Sequence, residues 1–157
     1  AEGVAARHLC LEVTESAIME DPAHALASLQ ALHEMGVQLS IDDFGTGYSS
    51  LAYLKKLPVQ ELKIDRSFVM NLDADDNDLN IVRSTIGMAH HMGLKVVAEG
   101  VETESVAAQL KALGCDGAQG YLFSRPLGAD DFLSWAVAAL AALPPTPPVE
   151  IAAAVPG

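Results

Sequence analysis

Positive charge is scarce in this chain. Nine Lys and Arg face 21 Asp and Glu over 157 residues, for a net charge of −12. That balance excludes a general nucleic-acid surface. A protein this acidic needs local cations, from Lys, Arg or bound metal, to handle a phosphorylated substrate. Cysteine is equally sparse. Cys10 and Cys115 form no CxxC and no Cys/His metal spacing, so they are read as buried free thiols in a reducing compartment. No signal peptide and no apolar run long enough to span a membrane is present. The chain also lacks an initiating Met and starts at Ala1, which fits a fragment, a processed chain or an incomplete gene.

What is present is a repeating unit of strand then helix. Leu9 to Val13 reads as a buried strand, and Asp21-Pro22 opens a helix with Asp as N-cap and Pro in its first turn. Val37 to Ile41 is a second strand, ending in Asp42-Asp43, and a short helix is expected over Ser49 to Lys56. Leu62 to Asp65 is a third strand. The polar stretch Asn71 to Asp78 caps the next helix, and Leu94 to Ala98 is a fourth strand ending in Glu99. Thr103 opens another helix. Gly117 to Leu122 is a weaker fifth strand, and a last helix runs from about Ala129 to Leu143. Residues 1–143 are taken as one domain portion, and the Pro/Ala-rich 144–157 as a disordered tail or linker.

Apolar strands joined by helices imply an α/β fold with a parallel sheet covered on its faces. A doubly wound sheet would show a Gly-rich turn after its first strand, and none occurs. The acidic residues instead fall at several strand ends, where a (β/α)₈ barrel carries its function. The expected fold is a partial TIM-like barrel with five βα units. A whole barrel takes about 250 residues, so three units are expected upstream of Ala1.

Adjacent carboxylates at the end of an apolar strand resist burial unless a cation separates them. With Glu12 on a neighbouring strand end, Asp42 and Asp43 form the oxygen-rich set that Mg²⁺ or Mn²⁺ prefers. Lys63 sits between Leu62 and Ile64. It is read either as a structural partner of Asp65 on the same strand face or as a cation that orients water or a phosphoryl oxygen. Glu99 is a further candidate ligand. Glu102 precedes Thr103 and favours a helix start. Gln119 is either a satisfied amide or a substrate contact. The turn from Gly45 to Ser49 is weak evidence for phosphate binding. Asp43-Phe44-Gly45 occurs without the other kinase motifs. His24, His33, His90 and His91 are read as surface residues.

Five motifs occur in order: Leu11-Glu12-Val13-Thr14-Glu15-Ser16, Asp42-Asp43-Phe44-Gly45-Thr46-Gly47-Tyr48-Ser49-Ser50-Leu51, Leu62-Lys63-Ile64-Asp65-Arg66-Ser67-Phe68-Val69, Val97-Ala98-Glu99-Gly100-Val101-Glu102 and Gln119-Gly120-Tyr121. In order and spacing they resemble the EAL domains of bacterial phosphodiesterases that hydrolyse cyclic di-GMP. The resemblance covers about Leu9 to Trp135. It implies a TIM-like barrel, Mg²⁺ or Mn²⁺ with two ions in the complete domain, and the linear product pGpG. It also implies that Glu12, Asp42, Asp43 and Glu99 are metal ligands. Lys63 would hold the attacking water, with Glu99 at the metal or acting as a base. Glu15 would anchor the loop after Asp43, with Glu102 in a similar supporting role. Asp65 and Gln119 would lie near the substrate.

The resemblance also implies a cytoplasmic setting, a possible homodimer through the region after the Asp pair, and upstream sensory or GGDEF domains. No Glu-Ala-Leu stretch exists in the chain. By the resemblance, the namesake glutamate and an asparagine ligand belong before Ala1, so the isolated chain is expected to be weakly active or inactive. The rival readings are a non-catalytic receptor or interaction module of the same family, and another metal-dependent barrel enzyme of the enolase kind.

Overall fold

A computed structural model describes residues 3–46 and 51–142. Gly47 to Ser50, the centre of the Gly-rich turn and the start of the expected Ser49–Lys56 helix, lies outside the described residues. So does the tail from Leu143. By contact the chain divides into two units, Ala1–Ser124 and Arg125–Gly157.

The first unit holds β1 (Cys10–Thr14), α1 (Glu15–Glu20), α2 (Pro22–Glu34), β2 (Gln38–Phe44) and α3 (Leu51–Leu54). After these come β3 (Glu61–Ile64), α4 (Arg66–Val69), α5 (Asp76–His91), β4 (Lys95–Ala98), α6 (Glu104–Ala112) and β5 (Gly117–Ala118). The strands pair in the order β1-β2-β3-β4-β5, and every pair is parallel. Each helical connection between strands is a crossover that returns the chain to the same end of the sheet and lays the next strand beside the last, so the fold is an open arc of a TIM-like barrel. The second unit contributes α7 (Ala129–Ala142).

Register and the two-residue strand period divide the sheet into two unlike faces. Leu39, Ile41, Leu62, Ile64, Val96 and Ala98 share one face, and each is at most 1% exposed. They form the core with Ile18 of α1, Leu29 of α2, Val82 and Ile86 of α5, and Val106 and Leu110 of α6. Glu12 pairs with Ser40, Ser40 with Glu61, and Lys63 with Val97. These residues, with Asp42, therefore occupy the opposite face. The strands are thus not apolar on both sides, as their hydrophobic content implied. The second face is polar, and Ser40 Oγ donates to Glu61 Oε1 at 3.1 Å within it.

Several boundaries differ from the sequence reading. β2 runs on through Asp42 and Asp43 to Phe44, and β5 is only two residues long. Two short helices were not anticipated. Thr14 Oγ1 accepts from Ala17 N and starts α1, and Asp65 caps α4. Cys10 is exposed on the edge strand rather than buried, and Cys115 is half-buried; both thiols are free. Among the described residues no helix is long and apolar enough to cross a membrane.

The end of the sheet away from the acidic cluster is tied by side chains. Gln60 Oε1 accepts from Leu39 N at 2.9 Å. Asp116 Oδ2 accepts from Val96 N and bonds His90 Nε2, both at 2.8 Å, joining β4 to the last turn of α5. The His90 bond, followed by that from Val96, holds the Asp116 carboxyl below the usual carboxylate range. A lowered carboxylate contributes stability above its unfolded pKa, and that contribution fades as pH falls through the folded one. Asp116→Asn is therefore expected to cost about 1 kcal/mol at pH 7. The difference from the parent chain should shrink towards zero below about pH 4. Urea unfolding at several pH values measures both.

Candidate metal centre

The site is assembled at the C-terminal ends of the strands. Lys63 is 3% exposed, in the middle of the sheet. Its Nζ lies 2.7 Å from Glu12 Oε2, 3.1 Å from Asp42 Oδ1 and 2.5 Å from Glu99 Oε1. Four neighbouring strand ends thus meet on one ammonium. Burial alone would pull Lys63 down, but its close contacts with the carboxylates of Glu12, Glu99 and Asp42 outweigh it and raise its pKa above the ordinary lysine value. Lys63 is therefore charged at neutral pH. Its ion-pair partners lie across the sheet, and Asp65, two residues on, is not among them.

Asp42 and Asp43 are consecutive in a strand, an arrangement that normally sends side chains to opposite faces. Two irregularities change this. The β2–β3 register shifts between Ile41 and Phe44. Asp43 adopts φ 53, the one positive φ outside glycine among the described residues. That conformation costs about 1 kcal/mol for a residue with a Cβ. In return, oxygens of Asp42, Asp43 and Glu99 all fall within 4.8 Å of one another.

Burial, reinforced by the charges of Asp42 and Asp65, pushes the Asp43 carboxyl up. Asp65 follows the end of β3 and caps α4, accepting from Ser67 N at 3.0 Å and Ser67 Oγ at 2.5 Å. Burial opposes its ionisation, but these bonds prevail and hold it below the usual range.

The donor set suits a hard divalent cation. It consists of carboxylate oxygens alone, as Mg²⁺ and Mn²⁺ favour. Asp42 Oδ1 is buried and has no aligned hydrogen-bond donor; Lys63 meets it as an ion pair only. An oxygen in that state is open to a further cation.

Glu15 is 3% exposed at the start of α1. Its Oε2 accepts from Gly45 N at 3.2 Å and ties α1 to the turn that follows Asp43. Thr46 closes that turn by donating N and Oγ1 to Asp43 O, at 3.3 and 2.9 Å. Glu102 is exposed before the α6 cap, Thr103. Gln119 is fixed by its backbone, donating to Ala98 O at 2.8 Å and accepting from Val101 N at 3.0 Å. Glu99, Glu102 and Gln119 line one cleft of about 230 Å³ together with Arg66 and Tyr121. Arg66 and Ser67 carry no role in the sequence reading. The Asp-x-Ser spacing of a capped turn was the available signal for Ser67.

A partial α/β barrel with an acidic, metal-type centre on the C-terminal rim defines the class. The chain belongs to the EAL-domain family, which matches residues 1–126. It is 55% identical over 125 residues to the cyclic di-GMP phosphodiesterase NbdA of Pseudomonas aeruginosa, covering 80% of this chain and 16% of that protein. A solved structure of the PaMucR phosphodiesterase in complex with c-di-GMP superposes with a TM-score of 0.80 at 50% identity. That match covers 82% of this chain and 52% of the other. The manganese and cyclic di-GMP complex of Klebsiella pneumoniae BlrP1 matches with a TM-score of 0.74 at 35% identity, over 79% of this chain and 32% of that one. The chain therefore spans under a fifth of NbdA and about half of the solved MucR chain.

Removing the ammonium would leave Glu12, Asp42 and Glu99 uncompensated around a buried point. Lys63→Met is expected to destabilise the fold by about 3 kcal/mol, read by urea or thermal unfolding without added metal. A variant as stable as the parent would show that the carboxylates do not depend on Lys63.

Proposed function

We propose that residues 1–126 form part of the active site of a metal-dependent phosphodiesterase that opens cyclic di-GMP to linear pGpG. One observation carries the reading: Asp42, Asp43 and Glu99 converge within 4.8 Å, and one Asp42 oxygen is buried without an aligned donor. The phosphodiesterase activity and cyclic di-GMP complexes of the relatives supply the substrate class.

In this reading Glu12, Asp42, Asp43 and Glu99 hold Mg²⁺ or Mn²⁺. Such ions supply charge that offsets the phosphoryl oxygens and makes a water more acidic. The chain's own residues do the rest. In the substrate complex Lys63 gives up one of its carboxylate contacts and directs that N–H towards the attacking water, and Glu99 takes the water's proton. The water oxygen bonds to phosphorus as the bond from phosphorus to the 3′ oxygen breaks. The proton taken by Glu99 passes, directly or through solvent, to the departing 3′ alkoxide, leaving a 3′ hydroxyl on one nucleoside and a 5′ phosphate on the other. Glu15 holds the Asp43 turn in place through Gly45 N, and Gln119 and Arg66 line the cleft beside Glu99.

Hydrolysis of cyclic di-GMP with Mn²⁺ by the protein that carries this chain tests the reading, with pGpG measured by anion exchange. Asp42→Asn and Lys63→Ala should each lower kcat by about 100-fold or more. The 157-residue chain alone should turn over weakly or not at all. Undiminished hydrolysis in either variant would overturn the assignment.

A further inference from the structure

We infer that helix α4 is a spacer that sets the position of the Asp42-Asp43 turn against Glu99, and that Phe68 is its principal positioning residue. The inference rests on the metal-site reading above for its functional meaning. Its physical content stands on two close approaches.

The first is on the Asp43 side. Gly45 follows the bulged pair with φ +99, and a methyl built there would lie 3.0 Å from Phe68 Cε2. The half-buried Phe68 ring therefore packs directly against the Gly45 backbone. Gly45 N is held from the other side by Glu15 Oε2. The residue two positions after Asp43 is thus pinned between a carboxylate from α1 and an aromatic ring from α4.

The second is on the Glu99 side. Gly100 has φ +69, and a methyl there would fall 2.5 Å from Arg66 Cβ and 3.3 Å from Arg66 Cα. The first residue of α4 is therefore in contact with the residue directly after Glu99. Asp65, capping α4 through Ser67 N and Oγ, fixes the helix that makes both contacts. Phe68 and Arg66 are two residues apart, so one rigid turn spans the gap between the two ligand-bearing loops.

None of these groups needs to touch a metal or substrate. Phe68 acts through Gly45, and it restricts a turn that already stores strain at Asp43. Supporting residues of this kind typically alter metal affinity by about 10–100-fold when removed.

The test uses the intact protein that carries this chain. Hydrogen–deuterium exchange of the Phe44–Thr46 peptide is measured without metal, and Mn²⁺ affinity by electron paramagnetic resonance. Phe68→Ala should speed exchange at the turn and weaken Mn²⁺ binding, each by ~tenfold. Phe68→Tyr should retain both values. Leu110→Ala, in the core beneath α6, should lower global stability yet leave exchange at the turn and Mn²⁺ affinity unchanged. Gly45→Ala should impair Mn²⁺ binding in the parent background and cost less in a Phe68→Ala background, where the contact with the ring is gone and only the strain of a Cβ at φ +99 remains.

The inference is overturned if Phe68→Ala leaves exchange at the turn unchanged. Equal loss in Phe68→Ala and Leu110→Ala overturns it, as does simple additivity of Gly45→Ala and Phe68→Ala. Absence of Mn²⁺ binding in the parent protein would defeat the metal-site reading instead, and metal-free exchange would still decide the role of α4.

Discussion

The ammonium of Lys63 is the constraint on which the polar half of the sheet depends. A charge 3% exposed in a β-strand is tolerable only if other charges answer it. Here the answers come from β1, β2 and the end of β4 together. The consequence is geometric as well as electrostatic. Strands joined by backbone hydrogen bonds in the plane of the sheet are also tied on its polar face by a common ion contact. The register sets Glu12 level with Glu61, two residues before Lys63, and Glu99 two residues beyond Val97, the partner of Lys63, so the carboxylates reach the ammonium from staggered positions.

That cage has an imbalance built into it. A single ammonium meets Glu12, Asp42 and Glu99, while Asp43 adds a further carboxylate within reach of two of them. Every N–H of Lys63 has a carboxylate neighbour, so the cage is rich in anions and short of donors. The bulge and the positive φ at Asp43 make the imbalance worse, since a regular strand would have pointed Asp43 away. Backbone strain spent on bringing like charges together makes no sense as a stabilising device. The divalent cation proposed for this site would account for it.

The sequence carried the parts of this arrangement that rest on periodicity and on chemically unusual neighbours. Parallel strands, the crossover helices and the acidic strand ends were legible because apolar runs and caps such as Asp21-Pro22 are local signals. Lys63 stood out because a cation between Leu62 and Ile64 conflicts with its surroundings. Glu12, Asp42 and Glu99 were legible as site residues but not as its ion-pair partners, because cross-sheet register depends on pairing that no local pattern encodes; Asp65, one of the two alternatives weighed for it, is not a partner. The ends of β2 and β3 were also obscured. Asp42 and Asp43 have poor strand propensity, yet pairing carries β2 to Phe44. Asp65 continues the alternation of β3 in sequence but leaves the strand to cap α4. Nothing in the sequence marked Phe68, since its contact partner, Gly45, contributes no side chain to reveal it.

Scarcity of positive charge gives the site its final constraint. With 21 acidic and nine basic residues, this chain as a whole repels anions, and association with the proposed anionic dinucleotide cannot rely on a broad attractive field. Attraction has to be concentrated where the phosphates bind. Lys63 cannot supply it alone, because its charge is already offset by three carboxylates. Arg66 lines the cleft beside Glu99 and offers one further cation. In the proposed reading the remainder falls to ions held by the carboxylates, so the same acidic cluster that repels an anion in its bare form would attract it when loaded. Substrate binding in such a site is coupled to metal occupancy through charge, even where no ligand atom contacts the metal.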